Sequence, residues 1–435
     1  MGIVESMKQI LKKPYFLFFS ILLFFTPLIL VTNTNELFEF PKMFFIYILG
    51  LFIIFYFISD LILNKTKLIK PSPIVLAFIF ITFLSTIFSS HIYTSFFGYY
   101  TRFNDGLLSY LIFFGLYLVA INKLDKEDFI DLIKVAILPI VPISVYGLAQ
   151  YFGGPGIFWS LPAVERVYST LGQPNWLSQY LSILLMLCIY FALSDSLKNF
   201  KFWFVLYVFG FYCFWVTYSM SGLIGFTSGL LVLGFIYLKD KNIFEGESNN
   251  KSLSLRVILL FLITFSISIS NLGLYKGKLN DVLIDLKNII TVVHKVYALG
   301  SEYEVSDPGF IRIELWKSTL NLIKSSPKVF FIGTGPETYP YEFQKFRNTK
   351  LNYSSEWEYV FNKPHNYYLE IWSESGIFAL GIYLAFLFMV IKNVPKFLIP
   401  VLTVFIVTNI FGWPTVSTSL LFWFFVSWSD VWKRK

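Results

Sequence analysis

The segment Met43–Leu63, MFFIYILGLFIIFYFISDLIL, decides the fold class of this 435-residue chain. Its residues are almost all apolar, and Asp60 is its one charged side chain. A helix needs roughly 17–25 mostly apolar residues to cross the hydrocarbon core of a bilayer. The same pattern recurs along the sequence, in which 56% of residues are hydrophobic and only 14% are charged. A soluble domain carries about 25% charged residues, so the composition predicts an integral membrane protein.

Twelve apolar segments are predicted to be transmembrane helices. They are Tyr15–Val31, Met43–Leu63, Ile74–Ser89, Leu107–Ile121, Val135–Phe152, Trp176–Leu193, Phe202–Tyr218, Leu223–Leu238, Val257–Asn271, Ile371–Ile391, Phe397–Ile410 and Ser419–Trp432. The predicted fold is therefore all-α, with about twelve transmembrane helices and one large loop that contains amphipathic helices. The sequence therefore predicts three parts: a nine-helix transmembrane bundle (1–272), one large loop (273–370) and the last three transmembrane helices (371–435).

The basic residues predict which side of the membrane each loop occupies. With both termini in the cytoplasm, twenty of the 35 Lys and Arg residues fall on the inner side, twelve in the long loop, and only Lys42, Arg102 and Arg166 in short outer loops. Positive residues favour the cytoplasmic side, so the long loop is predicted to be extracytoplasmic. The net charge of +8 comes from these anchors and does not indicate nucleic-acid binding. Both cysteines fall in predicted spans, which argues against a disulfide framework.

Ionisable residues are nearly absent from the predicted spans. Ion-coupled transporters and proton pumps place such residues near the bilayer midplane, facing a pathway. Their absence argues against coupled transport, although a lipid flippase or a passive pore does not strictly need them. Tryptophans near the predicted interfaces are expected to anchor the bundle among the lipid headgroups. These are Trp159, Trp176, Trp413, Trp428 and Trp432.

Two amphipathic helices are predicted in the long loop, at Asp281–Leu299 and Phe310–Lys324, because apolar residues recur there at helical spacing. His294 lies midway along the first helix and is interpreted as a packing residue. Arg312 lies in the first turn of the second helix. From the sequence it is either a functional cation or a solvated surface charge.

The end of the loop contains two further candidates. Gly333-Thr-Gly-Pro336 predicts a turn whose glycines allow positive φ and a close backbone approach, although no phosphate-loop helix follows it. His365 comes just before a predicted span and should therefore lie at the outer membrane interface. A histidine there can exchange a proton near neutral pH. The alternative is a histidine that only packs, with Asn366 as the N-cap of the next helix.

Short motifs follow one another along nearly the whole chain. In order, they are Phe38-Glu-Phe-Pro-Lys42, Gly98-Tyr-Tyr-Thr-Arg102 with Asp105-Gly106, Tyr146-Gly147 with Gln150-Tyr151, Gly172-Gln-Pro-Asn175, Arg312 with Trp316, Gly333-Thr-Gly335-Pro336, and His365-Asn366 with Leu369-Glu370 and Gly376. Together they resemble the O-antigen ligase and O-antigen polymerase superfamily of bacterial envelope glycosyltransferases. Each motif is weak alone, but the order, the topology and the single large outer loop make the set fairly specific.

The resemblance implies an enzyme at the outer face of the bacterial inner membrane. Such enzymes move a glycan from undecaprenyl diphosphate to a glycan, a lipid A-core-like lipid or a protein, without a nucleotide sugar, a metal or another cofactor. His365 would be the base or transition-state partner for the attacking hydroxyl, and Arg312 would bind the diphosphate. Asn366, Gly333 and Gly335 would contact diphosphate or glycan. Membrane lipids are the other expected partners, and nucleic acid is not expected.

One position departs from the family pattern. The family commonly has a Ser-Arg pair at the outer end of the seventh span, where this sequence has Ser219-Met220. Methionine cannot bind phosphate as a cation. Either Arg102, Arg166 or Lys42 takes that role, or donor handling differs, or the protein is inactive. Ligase, polymerase and protein O-oligosaccharyltransferase therefore stay open, together with a non-catalytic relative and a glycan transporter.

Overall fold

The computed structural model describes residues 13–65, 67–153, 166–194, 197–244, 250–269, 308–354 and 356–434. Helices, turns and irregular segments make up these ranges, and no β-strand occurs within them. The predicted all-α class is confirmed. The predicted helix Asp281–Leu299 with His294, and also Trp159, lie outside the described residues.

The α-helices are numbered here in chain order over the described ranges. They are α1 (Pro14–Phe25), α2 (Glu39–Asn64), α3 (Pro73–Ile87), α4 (Ile92–Phe97), α5 (Leu107–Lys123), α6 (Lys126–Ile137), α7 (Ile140–Tyr151), α8 (Pro174–Ser194), α9 (Leu197–Trp215), α10 (Met220–Lys239), α11 (Asn250–Ile269), α12 (Pro308–Ile323), α13 (Pro327–Phe331), α14 (Tyr339–Glu342), α15 (Tyr367–Asn393), α16 (Leu398–Thr408) and α17 (Val416–Lys433). Short 3-10 turns lie at Thr26–Leu28, Ser169–Leu171, Lys241–Phe244, Phe343–Phe346 and Thr349–Tyr353.

Six helical segments in the described ranges are long and apolar enough to cross a membrane. They are α2, Lys126–Tyr151 (α6 with α7), α8, α10, Ser252–Ile269 and α15. Every other predicted span overlaps a helix, but some of these helices are short. For example, α16 has 11 residues. At a rise of about 1.5 Å per residue it covers roughly half of the hydrocarbon thickness. The count of twelve spans therefore stays a prediction.

The bundle is arranged around α8, whose side chains are almost all buried, and α9, α10 and α16 pack against it. By contrast, α2 exposes large apolar side chains such as Phe44, Phe55 and Ile62. An apolar face of this length is stable only against lipid or another apolar surface. The core and the lipid-facing rim are therefore both apolar, and they differ only in what they contact.

Several tryptophans that were expected to anchor the bundle in lipid are buried instead. Trp176, Trp413 and Trp428 are only 8%, 5% and 0% exposed, so the expectation is wrong for these three. Trp432 is 40% exposed and agrees with it. Trp176 and Trp413 contact each other edge to face, with ring centroids 5.9 Å apart. Their rings pack inside the protein, at the end of the bundle that contains His365.

Basic residues collect at the other end of the bundle. Lys13 binds Asp128 at 2.7 Å, Lys123 pairs with Asp60, and Arg434 donates to the Ile121 carbonyl oxygen at 3.1 Å. These contacts join the beginning of α1 to α6, and the end of α5 to the ends of α2 and α17. The arrangement agrees with the predicted cytoplasmic side, although the orientation itself remains a prediction.

At the end of the bundle that contains His365, α15 is broken by a tight approach of two chain segments. Gly376 has φ 83° and ψ 171°, which interrupts the helix, and Gly333 has φ 87°. A Cβ atom on Gly376 would overlap the Phe331 carbonyl group, and one on Gly333 would overlap that of Glu374. Both positions therefore require glycine for two reasons, the positive φ and the lack of space.

The break in α15 frees backbone carbonyl groups that the 333–335 turn then satisfies. The Thr334 amide donates to the Ser373 carbonyl oxygen at 3.0 Å, and the Gly335 amide donates to that of Glu374 at 2.8 Å. Buried backbone groups must be paired, especially at membrane depth. The predicted turn at Gly333–Pro336 is thus a docking element for α15, and it fixes the part of the loop that follows α12.

Candidate functional site

His365 lies one residue before the N-cap of α15. The Asn366 side-chain oxygen accepts hydrogen bonds from the Tyr368 and Leu369 amides at 3.0 and 3.1 Å, so the predicted N-cap is confirmed. The Tyr367 amide donates to the Asn409 carbonyl oxygen at 2.9 Å. His365 itself has φ 52°, the left-handed region that non-glycine residues rarely occupy. The backbone on its C-terminal side is therefore fixed by the start of the helix.

A cleft connects His365 with motifs that are distant in the sequence. The His365 ring lies edge to face against Trp413, with centroids 5.1 Å apart. The cleft is lined by Gln173, Asn175, Trp176, Gln179, Ser221, His365, Thr408, Phe411, Gly412 and Trp413. It therefore combines the 172–175 motif, the beginning of α10 and the loop histidine, as expected if these motifs serve one site.

Arg102 lies over the aromatic wall of this cleft. Its guanidinium carbon is 5.0 Å from the centre of the Trp176 ring and 5.8 Å from that of Trp413. Stacking on aromatic rings holds a guanidinium by cation–π attraction and leaves its edge free to donate hydrogen bonds. Arg102 Nη1 is buried and has no hydrogen-bond partner among the described residues. A donor in this state suits an anionic ligand such as a phosphate oxygen.

Arg312 lies in the second turn of α12, and its charge acts on His365 together with that of Arg102. Burial, and then the positive charges of Arg312 and Arg102, lower the pKa of His365 from its ordinary 6.5 to about 3. The imidazole is therefore neutral at physiological pH, and one ring nitrogen is free to accept a proton. Two arginines are thus close enough to keep this histidine neutral.

Lys363 forms a buried ion cluster two residues before His365. Its ammonium is 3.1 Å from Asp105 Oδ2 and 2.5 Å from Glu370 Oε1, and it also pairs with Glu337. Oxygens of the three carboxylates lie within 4.8 Å of one another, a spacing that could hold a metal ion, but the ammonium lies among them. Burial alone would lower the pKa of Lys363, yet the carboxylates raise it well above its ordinary value. Lys363 is charged.

Residues 204–384, which include α10, α12, the 333–335 turn and His365, match the family model described as O-antigen ligase. This match supports the O-antigen ligase and O-antigen polymerase superfamily. The resemblance to this superfamily that the sequence motifs indicated is confirmed. A comparison with curated proteins found no match.

The O-antigen ligase domain indicates a glycosyltransferase-type enzyme, and with the membrane-type helices it indicates an inner-membrane protein. The region matched by the family model includes Arg312 and His365 but begins after Arg102 and Arg166. These two residues join the site through the fold. Their contacts therefore depend on the helices before residue 204, which pack against the matched region.

Arg166 lies beside the position where the family commonly has its second arginine. Its Nη2 donates to Asn175 Oδ1 and its Nε to the Thr217 carbonyl oxygen, both at 2.9 Å. Ser219, next to Met220, donates to the same Asn175 oxygen at 2.9 Å. Asn175 lines the cleft. The guanidinium of Arg166 thus lies near the start of α10, whose first residue is Met220.

Lys42 lies further from the chemistry than the sequence suggested. Its side chain is fully buried and donates to the carbonyl oxygens of Thr170 at 2.8 Å and Phe38 at 3.0 Å. It does not line the cleft, and its contact with Thr170 joins the start of α2 to the 169–171 turn. Gly333 and Gly335 likewise pack on protein, against Glu374 and Ser89. Direct substrate contacts by these three residues remain predictions.

His91 is separate from the cleft. Its ring stacks on Tyr341, with centroids 4.3 Å apart, and its Nε2 is 4.0 Å from a Glu342 oxygen. It does not line the cleft that contains His365. This separation makes His91 a useful control for the chemistry of His365.

Proposed function

We propose that this protein transfers a glycan from undecaprenyl diphosphate to an acceptor hydroxyl on the outer face of the inner membrane. The observation that supports this most is the neutral His365, which feels the charges of Arg102 and Arg312 and lies in a cleft walled by Trp176 and Trp413. A base with two neighbouring cations suits a reaction in which a hydroxyl attacks and a diphosphate leaves.

The proposed step is a single displacement. The acceptor hydroxyl attacks the anomeric carbon, and its proton passes to a ring nitrogen of His365. The bond between that carbon and the diphosphate oxygen breaks, and undecaprenyl diphosphate leaves with the bonding electrons. Arg102 and Arg312 bind the diphosphate, whose charge grows as the sugar departs. His365 later releases its proton to water, so the protein returns to its starting state.

The bound donor also accounts for how a histidine of such low pKa could act as a base. In the protein alone, the positive charges of Arg312 and Arg102 lower the pKa of His365. A diphosphate between the two guanidinium groups would offset those charges and raise the pKa of the histidine towards neutrality. His365 would then become basic enough to accept a proton only when the donor is bound. This arrangement would disfavour proton uptake in the empty site.

The charge pattern supports an outer location for this chemistry. The positive-inside bias predicts that the loop with Arg312 and His365 is extracytoplasmic and that both termini are cytoplasmic. Lipid-linked glycans displayed on the outer face would reach the cleft from the membrane, with no soluble carrier. The acceptor would approach from the extracytoplasmic side.

The function can be tested with the purified full-length protein in lipid nanodiscs, supplied with lipid-linked glycan extracted from the host. Transfer should release undecaprenyl diphosphate and give a longer or newly attached glycan, detected by mass spectrometry. The mass of the product identifies the acceptor as glycan, lipid A-core-like lipid or protein. Transport of the lipid-linked glycan across the bilayer with no broken glycosidic bond would instead support a flippase.

Arg166 and Met220 give a further prediction. Arg166→Ala should lower transfer by roughly 10²-fold, because removal of a preorganised donor to developing charge has about this effect. Met220→Arg alone should bring no gain, since Arg166 already supplies a cation there, whereas Met220→Arg in the Arg166→Ala background should restore transfer. The measurement is the initial rate of undecaprenyl diphosphate release. A gain from Met220→Arg alone would mean that the native site lacks a cation.

A further inference from the structure

We propose that Lys363 is a positioning residue of the site, and that its ammonium fastens the segment that carries His365 to the segment that carries Arg102. The effect of Lys363 on catalysis rests on the proposed transfer reaction, whereas its ion pairs do not. One buried ammonium joins three parts of the chain that are far apart in sequence. Asp105 lies before α5, Glu337 follows the 333–335 turn, and Glu370 lies in the first turn of α15.

The first argument is the position of the partners relative to the site residues. Asp105 follows Arg102 by three residues, and Lys363 precedes His365 by two. The Lys363–Asp105 ion pair is therefore the direct link between the two short segments. Both residues are largely buried, with side-chain exposures of 2% and 11%. Such a pair restricts its partners far more than an exposed ion pair does.

The second argument is backbone strain around the cluster. Asp105, Glu337 and His365 have φ values of 56°, 61° and 52°, all in the left-handed region that L-residues avoid. Residues stay in such conformations only where their surroundings hold them, and they cluster at functional sites. Two of the three bind Lys363 directly, and the third is His365. Without the ammonium, these segments would relax towards ordinary backbone conformations.

The third argument is the excess of negative charge. Asp105, Glu337 and Glu370 surround one ammonium, and the Glu374 carboxylate lies close by, where it accepts from the Glu337 amide at 2.9 Å. Glu370 Oε2 is buried and has no hydrogen-bond partner among the described residues. Loss of Lys363 would leave several buried carboxyl groups without their cation. Buried carboxylates without a cation take up protons, so the ion pairs that join the three segments would be lost.

The test measures the environment of His365 separately from catalysis. In the full-length protein in nanodiscs, acylation of His365 by diethyl pyrocarbonate is followed by peptide mass spectrometry. Lys363→Met keeps the length of the side chain and removes its charge, and it should raise the acylation rate about tenfold by releasing the strained segment. Lys345→Met, an exposed loop lysine paired with Glu342, is the matched control and should leave the rate unchanged.

A second variant covers the case in which Lys363→Met does not fold. Lys363→Met with Glu337→Gln and Glu370→Gln removes two carboxylate charges together with the cation and should recover wild-type thermal stability. It should still show fast acylation of His365 and a roughly 10²-fold loss of transfer, since a small misplacement of a catalytic group has about this effect. A stable triple variant with wild-type acylation and transfer would overturn the proposal.

The outcome also separates this proposal from the proposed function. If His365→Asn keeps normal transfer while Lys363→Met accelerates acylation, the catalytic role of His365 fails and the positioning of the segment stands. If His365→Asn abolishes transfer while the stable triple variant leaves acylation unchanged, the function stands and the positioning role of Lys363 is wrong.

Discussion

Replacement of His365 by asparagine should lower the transfer rate by roughly 10²–10⁴-fold, the usual range for loss of a general acid–base group. Asparagine tolerates the left-handed conformation that His365 adopts at φ 52°, so this variant removes the base with little change to the backbone. Asn366 and the start of α15 should stay in place. The measurement is the initial rate of undecaprenyl diphosphate release at saturating donor, with protein amount checked in the membrane.

Two controls make this result specific. His91→Ala removes a ring that stacks on Tyr341 outside the cleft and should keep most of the transfer activity, as should His294→Ala. Because the pKa of His365 lies near 3, titration of the free protein should produce no loss of kcat/KM between about pH 5 and pH 7. Wild-type transfer by His365→Asn would contradict the catalytic role and would favour the non-catalytic or transporter reading.

Much of the scaffold was predictable from local sequence. A run such as Met43–Leu63 must be a helix in a membrane, because only a helix or a closed barrel satisfies its backbone there. The helix that contains Arg312 was predicted at Phe310–Lys324 and lies at Pro308–Ile323. The cap at Asn366 was also visible, since Asn before an apolar run is a usual helix start. Periodicity and capping are local properties, and they survive in the fold.

The contacts that complete the site were not predictable in this way. The buried state of Lys363 has no local signal, because a lysine near a predicted outer surface normally stays in solvent and its three carboxylate partners come from distant segments. Trp176 and Trp413 were assigned to the membrane interface, where tryptophan is common, but they form the aromatic wall below Arg102. Lys42 was a candidate ligand and is buried instead. Each case depends on which helices become neighbours.

A signal for the Lys363 cluster was nevertheless present in the motifs. Asp105, Glu337 and Glu370 each lie in or directly after one of the short motifs of the sequence, yet carboxylates are not expected to bind a diphosphate. Acidic residues within phosphate-binding motifs need a cation of their own, because buried carboxylates without one are unstable. Lys363 is the basic residue closest to His365 in the sequence. Carboxylates in these motifs, together with a lysine beside the loop histidine, therefore indicate Lys363 as the cation that the carboxylates need.

The second large effect is expected at Arg312. Arg312→Ala should lower transfer by roughly 10²–10³-fold, as loss of a preorganised donor to developing charge does. Arg312→Lys should keep little activity, because lysine retains the charge but loses the two-pronged donor geometry that matches a diphosphate. Lys317→Ala, on the same helix with a 58% exposed side chain, is the matched control and should transfer normally.

The Arg312 variants also show how Arg312 affects the pKa of His365. This measurement needs no donor, so it separates the effect on the histidine from the effect on donor binding. Arg312 is the larger of the two charge effects that lower the pKa of His365, so Arg312→Ala should raise that pKa in the donor-free protein. The midpoint of His365 acylation against pH should therefore move upward in Arg312→Ala and stay near the wild-type value in Arg312→Lys. Full transfer by Arg312→Lys would mean that a positive charge alone suffices at this position. An unchanged midpoint in Arg312→Ala would mean that its guanidinium does not act on the histidine, and the pairing of one base with two arginines would then be wrong.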